Sequence, residues 1–317
     1  MRVWKRIATV SMAALLALSA LSGCGSNNEV EKESYKIGVV LKSLANPFYV
    51  TMADAIEEKG QKLGVEIVLQ APEKETDTEK QMQIIENMIT QQVDAILLAP
   101  NGSTELAPAA KKCNDAGIPM IVVDTRLDES ALKENSATTV SFVGSDNYYG
   151  GQLAAEEMQK AIGSGKVAIL EGISGHESSI NRVGGFTDKA NELGGLEIVA
   201  SQPADWDQEK GYTVFQNILQ ANPDLNGLFA ANDMMALGAV KAIEDAGLSG
   251  QVTVIGFDAT DDAKEVIKAG KMLGSIAQSP ADMGTTALTT AIDYLDKGSC
   301  EEDIAVEVYM LAADGIA

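Results

Sequence analysis

One histidine, His176, serves the whole chain, and the three cysteines, Cys24, Cys113 and Cys300, fall at no spacing that grips a metal or runs dithiol chemistry. His176 is followed by Glu177 but by no second histidine four residues on, which removes the zinc-protease helix motif. No Gly-x-Ser-x-Gly turn is present to raise a nucleophilic serine. Gly165-Lys166 lacks both the glycine five residues before Gly165 and the Ser or Thr after the lysine, so it is not a phosphate-binding loop. Gly172-Ile173-Ser174-Gly175 lacks the third glycine of a dinucleotide fingerprint. No catalytic residue, metal or cofactor is expected. Cations are scarce too: 24 Lys and Arg stand against 46 Asp and Glu, a net charge of −22. That balance argues against a nucleic-acid or anionic-membrane face. Aromatics make up only 5% of a chain that is 45% hydrophobic, which suits an Ala-, Val- and Ile-rich α/β core.

What the chain does have begins at its N-terminus. Arg2, Lys5 and Arg6 precede an apolar run from Ile7 to Leu21 that is short for a membrane span and is followed by small residues, the layout of a signal peptide over residues 1–23. Its loss, with those three cations, takes the net charge from −22 to −25. Leu21-Ser22-Gly23-Cys24 resembles a bacterial lipobox, which implies cleavage before Cys24 and a lipid on its thiol. Residues 24–34 are polar and aperiodic and read as a flexible, lipid-anchored tether.

From Tyr35 onward, apolar runs of strand length alternate with helical periodicity, predicting α/β architecture with parallel sheets. The first series places strands at Ile37 to Leu41, Val65 to Leu69, Ala95 to Ala99 and Met120 to Val123. A second series, from Tyr148 onward, repeats the pattern and ends in one terminal strand near Val306 to Leu311. Two similar series predict two similar doubly wound lobes. The run Gly227 to Gly238, GLFAANDMMALG, shows the recurring grammar most compactly: an apolar strand, a polar turn, then a helix. Asn232 falls at a strand's carboxyl end, where doubly wound sheets bind ligands, and Asp233 is read as the helix cap. Asp124, Asp146 and Asp258 likewise follow apolar runs. Paired hydrogen bonds from Asn, Asp, Gln and Arg suit neutral polyols, and aromatics such as Phe48, Tyr49 and Trp206 suit the C–H faces of a ring.

Together these segments resemble periplasmic sugar-binding proteins of the ribose-binding type, the type I solute receptors of ABC transporters, over about Tyr35 to Leu311. Val39 to Val50 (VVLKSLANPFYV) is similar to the family's first binding loop, and Ala200 to Asp207 (ASQPADWD) to its aromatic loop. Phe229 to Gly238 is similar to its Asn-Asp turn, and IGFDAT and IAQSP to the last two loops. The resemblance implies two lobes joined by a three-segment hinge, with crossings near Phe142 to Gly144, Gln278 to Ser279, and Glu307. The lobes would be residues 35–142 plus 279–306 and 143–278 plus 307–317. It implies ligand contacts from Asn46, Phe48, Tyr49 and Asp124 on the first lobe. Arg182, Trp206, Asn232, Asp258 and Gln278 would supply the second lobe and the hinge. Asn101 is a further candidate, although its loop is shifted from the ribose pattern. Lys42 stands where the ribose type has serine, as in the allose-binding branch, and Thr125 replaces the arginine common after the carboxylate in ribose binders. Both departures argue against strict ribose specificity.

The expectation is an extracytoplasmic, membrane-anchored lipoprotein, monomeric, that captures a monosaccharide or polyol for the membrane permease of an ABC transporter. A sensor receptor of the same fold, binding a sugar or a furanone signal for a kinase or chemoreceptor, is the alternative. A repressor of similar lobes would need a helix-turn-helix and a basic DNA face, and a secreted enzyme would need a catalytic constellation; neither is found.

Overall fold

The computed structural model describes residues 34–316; the leader, Cys24 and the tether up to residue 33 lie outside the described residues. The first strands are β1 (Lys36–Val40), β2 (Glu66–Gln70), β3 (Ala95–Leu98), β4 (Met120–Val123) and β5 (Ser141–Ser145). Between them run α1 (Pro47–Leu63), α2 (Thr78–Thr90), α3 (Ala107–Asp115) and the short α4 (Glu129–Glu134). Then α5 (Asn147–Ile162) opens a second run: β6 (Gly165–Glu171), α6 (Glu177–Leu193), β7 (Leu196–Pro203), α7 (Gln208–Ala221), β8 (Gly227–Ala230), α8 (Asp233–Asp245), β9 (Thr253–Asp258), α9 (Asp261–Lys268) and β10 (Gly274–Ala277). Helix α10 (Pro280–Lys297) and the strands β11 (Asp303–Val306) and β12 (Tyr309–Ala312) complete the chain.

Two six-stranded sheets result, ordered β11-β5-β4-β3-β1-β2 and β12-β10-β9-β8-β6-β7. All pairings are parallel except β10 with β12. In each sheet the order reverses beside the first strand, so β1 and β3, and likewise β6 and β8, flank a crevice at their carboxyl ends. The apolar runs are buried on both faces, as helix-covered parallel strands must be. Helix α1 shows how local chemistry fixes an element: Asn46 accepts from the Phe48 amide, Pro47 occupies the first turn, and Gly64 closes the helix at φ 68°.

The expected single terminal strand is two, β11 in the first sheet and β12 in the second. The chain changes sheets at Glu307-Val308, and one continuous strand cannot pair with both. Strand β5 stays in the first sheet through Ser145, so the first passage lies at Asp146 rather than at Phe142 to Gly144. Helix α10 follows Gln278-Ser279 and packs on α1 and β3 to β5.

Helices α5 and α6 cross almost backbone to backbone. A Cβ added at Gly151 would lie 2.1 Å from the Arg182 carbonyl oxygen, and one at Gly185 2.0 Å from that of Tyr148. Gly238 on α8 meets the Gln208 carbonyl of α7 in the same way, at 2.1 Å. These contacts set how deep the helices lie and therefore where Arg182 can reach.

Candidate functional site: a polar cavity between the two sheets

Loops from the carboxyl ends of both sheets line one polar cavity. The first sheet sends in Lys42, two residues past β1, and Asp124, directly past β4. Lys42 is only 2% exposed. Its Nζ lies 3.0 Å from Asp124 Oδ2 and donates to Thr125 Oγ1 at 2.7 Å. The Tyr49 hydroxyl and Thr125 Oγ1 each donate to the same carboxylate oxygen at 2.9 Å. Burial would push the Asp124 carboxyl up, but the Lys42 and Arg182 charges and the donors around it hold it below the usual range. Burial, reinforced by Asp124, raises the Tyr49 phenol well above its ordinary value. Phe48 and Tyr49, on the first turn of α1, form an edge-to-face pair with centroids 5.1 Å apart. The Asn46 amide, besides capping α1, donates to Glu75 Oε1 at 2.9 Å.

The second sheet answers with Arg182 and Asp258. The Arg182 guanidinium donates to Asn147 Oδ1 and to the Ala231 carbonyl, both at 2.8 Å, lies 3.8 Å over the Phe257 ring, and stands 3.5 Å from Asp258 Oδ1. Gln278 Nε2 donates to Asp258 Oδ1 at 2.7 Å. Burial nevertheless lifts the Asp258 carboxyl well above its ordinary value, because the Arg182 donors are aimed mainly elsewhere and Asp233 adds a like charge. Asp124 at φ 66°, Trp206 at φ 64° and Asp258 at φ 109° all occupy backbone conformations that side chains rarely adopt. Strain of that kind persists where surrounding structure over-determines it.

Trp206 forms one wall. Its Nε1 donates to His176 Nδ1 at 3.3 Å, and a Cβ at Gly172 would lie 1.9 Å from the indole, so glycine makes the room. Asn232 both lines the cavity and caps α8, accepting from the Met235 amide at 2.9 Å and donating to the Trp206 carbonyl at 3.3 Å. The helix cap is thus Asn232 and not Asp233. Asp233 is fully buried and accepts from the Thr260 amide at 2.7 Å and Ser275 Oγ at 2.7 Å, tying the start of α8 to the loop after β9 and to β10. Burial lifts it to about 6.

Two expected contacts stand behind the cavity. Gln278 reaches it only through Asp258. Asn101, 1% exposed, donates from Nδ2 to the carbonyls of Lys42 at 3.2 Å and Lys74 at 3.4 Å, and so braces the loops instead of lining the cavity. Two lining residues, Glu75 and Ser178, are not signalled by a strand end. Glu75 comes from the loop after β2 and Ser178 from the first turn of α6, and only the general convergence of chain at the carboxyl edge pointed to them.

The two halves touch directly. Thr125 Oγ1 lies 3.0 Å from Ser178 Oγ, the Glu177 amide donates to Ser103 Oγ at 3.1 Å, and His176 is hydrogen-bonded to the Asn101 backbone. Burial, with Lys42 nearby, pushes the His176 imidazole down to about 3. The unfolded chain, with histidine near pH 6.5, takes the proton first. Stability from this group is therefore full above about pH 6.5 and is lost as pH falls towards about 3. In urea titrations from pH 7 to pH 4, His176→Gln is expected to lose less stability than the wild type, by on the order of a few kcal/mol. Parallel curves for the two proteins would contradict this role.

The sequence profile of the family described as periplasmic binding protein domain matches residues 37–299. A D-ribose/D-allose-binding protein of Pseudomonas aeruginosa is 38% identical over 297 residues, 92% of each chain. A D-allose-binding periplasmic protein of Escherichia coli strain K12 is 36% identical over 262 residues, 82% of this chain and 84% of its own. Among solved structures, an ABC transporter periplasmic solute binding protein from Actinobacillus succinogenes 130z with bound D-allose superposes with a TM-score of 0.85 at 39% identity, covering 89% of this chain and 99% of that one. The chain belongs to the periplasmic binding protein family, and its two parallel-dominated α/β lobes are the type I form of that fold.

Proposed function

We propose that this protein is an extracytoplasmic receptor that closes two lobes over one neutral monosaccharide or polyol and delivers it to the membrane permease of an ABC transporter. One observation carries the reading: buried Lys42–Asp124 and Arg182–Asp258 pairs face a single cavity from opposite sheets, with aromatic rings between them. A sugar hydroxyl donates and accepts at once, and a carboxylate beside a cation offers it one partner of each kind. Lys42, Asn46, Asp124, Arg182, Asn232 and Asp258 would hold hydroxyls, while Phe48, Tyr49 and Trp206 would cover the ring; Gln278 and Asn101 would support them from behind. The lobes would be residues 34–145 with 279–306 and 146–278 with 307–316, turning about the three passages between the sheets. The relatives' ribose and allose names, and the bound D-allose of the solved neighbour, support the ligand class.

Enclosure supports it energetically. Micromolar affinity needs about 8 kcal/mol, or roughly 0.7 kcal/mol from each of about 12 heavy atoms of a hexose, a demand that an open surface meets poorly. A thermal-shift screen across D-ribose, D-allose, other pentoses and hexoses and myo-inositol tests the reading. A true ligand at about a hundred times Kd should raise the melting temperature by roughly 5–10 °C; no shift with any of them would refute the ligand class.

The lipid anchor is part of the same proposal, and it rests on Leu21 to Cys24 alone. Cys24→Ala is expected to move the protein from membrane to soluble fractions or leave it unprocessed. A wild type that is soluble and carries no lipid by mass spectrometry would refute it.

A further inference from the structure

The charges around the cavity do not cancel. Lys42 pairs with Asp124 and Arg182 with Asp258, two cations against two carboxyls. A third carboxyl in the lining, Glu75, forms no ion pair among the described residues, and it accepts from the neutral Asn46 amide. Glu75 stands on the loop after β2, in the wall that separates the cavity from an outer groove between the lobes, and it lines both. The groove carries Glu73, Asp207 and Glu209 with the same sign, Lys210 held by Asp205 at 2.6 Å, and Lys74, which makes no ion pair with Glu75. Burial lifts the Glu75 carboxyl above its ordinary value, with only a partial counter-pull from Lys42 and Asn46. A half-buried carboxylate with no ion-pair partner gains from a positive or hydrogen-donating neighbour and is repelled by a second anion.

Resting on the reading of this cavity as a sugar site, we infer that Glu75 sets the charge class of the ligand, so that the site takes neutral and amino sugars and refuses acidic ones. Asp124 and Asp258 each already face a cation at ion-pair distance, whereas Glu75 has none.

Three probes that share one ring test the assignment by calorimetry: D-allose, 2-amino-2-deoxy-D-allose and D-alluronate. The wild type should bind the first two and hold the uronate at least about tenfold more weakly than D-allose. In Glu75→Gln the gap between D-allose and the uronate should narrow by at least about tenfold, and the amino sugar should weaken relative to D-allose. Glu75→Asp, which keeps the charge, should retain the wild-type order, and circular dichroism confirms that each variant is folded. The inference is overturned if Glu75→Gln shows the wild-type ratios, or if the wild type refuses the amino sugar while binding D-allose. A wild type that binds none of D-allose, D-ribose and myo-inositol would instead overturn the sugar reading, and this inference with it.

Discussion

Arg182→Ala is expected to weaken sugar binding by about a hundredfold and to destabilise the fold at neutral pH by about 3–5 kcal/mol. The two losses have different origins. Binding suffers because charged hydrogen-bond donors leave the cavity, each worth about 1.5–3 kcal/mol. Stability suffers because Asp258, 8% exposed, keeps its carboxyl in place without the cation 3.5 Å away. The carboxyl of Asp258 is already lifted by burial, with Arg182 the largest opposing influence. Removing the guanidinium raises it further. A carboxyl raised in the folded state stabilises below its unfolded value and loses that contribution as pH rises through the folded one. The variant should therefore go on losing stability as pH rises past the point at which the wild-type Asp258 carboxyl ionises. Adding Asp258→Asn should restore most of the stability but none of the affinity. If the double variant is no more stable than Arg182→Ala, the loss is one of packing over Phe257 and Trp206, and the charge argument fails.

Gly185→Ala is expected to cost about 3 kcal/mol or more, although Ala ordinarily stabilises a helix relative to Gly by about 0.5–1 kcal/mol. The added Cβ would sit 2.0 Å from the Tyr148 carbonyl oxygen, a backbone atom that cannot turn aside, so α5 and α6 must part. Asn147 on α5 holds Arg182 Nε at 2.8 Å, and that bond goes with the separation. Sugar affinity should fall even though Gly185 does not line the cavity. Gly184→Ala is the internal control, because its Cβ meets only the Tyr148 ring, at 3.7 Å. It should be neutral or slightly stabilising. Equal urea midpoints for the two variants would show that the helices have slack at this crossing.

The contrast between those neighbouring glycines marks a limit of what the sequence discloses. The strands were legible because apolar runs of four to six residues buried on both faces have few alternatives, and the residues that end them were legible for the same reason. Lys42, Asp124, Asn232 and Asp258 all lie within two residues of a strand's carboxyl end and all line the cavity. Glu75 lies five residues beyond β2 in a charged stretch that reads as a solvated loop, and only the tertiary approach of Asn46 turns it inward. The exchange of roles between Asn232 and Asp233 has a similar cause. Both residue types cap helices, and the deciding partners of Asp233, Thr260 and Ser275, are remote in sequence. The split of the last strand into β11 and β12 follows from which sheet each half meets, information that hydrophobic periodicity does not carry.

Of the two tryptophans, Trp4 lies in the expected leader, so in the chain without residues 1–23 the indole of Trp206 is the sole reporter. It stands in the cavity wall, 7% exposed, against His176 and Gly172 and 5.5 Å from the Arg182 guanidinium. Titration with the best sugar of the screen, followed by tryptophan emission and acrylamide quenching and matched to calorimetry, addresses the central claim that one sugar is enclosed between the lobes at this wall. Emission should show a single saturable change, with reduced quenching, at the calorimetric Kd. A ligand that calorimetry confirms but that leaves both the emission and the quenching of Trp206 unchanged would contradict it.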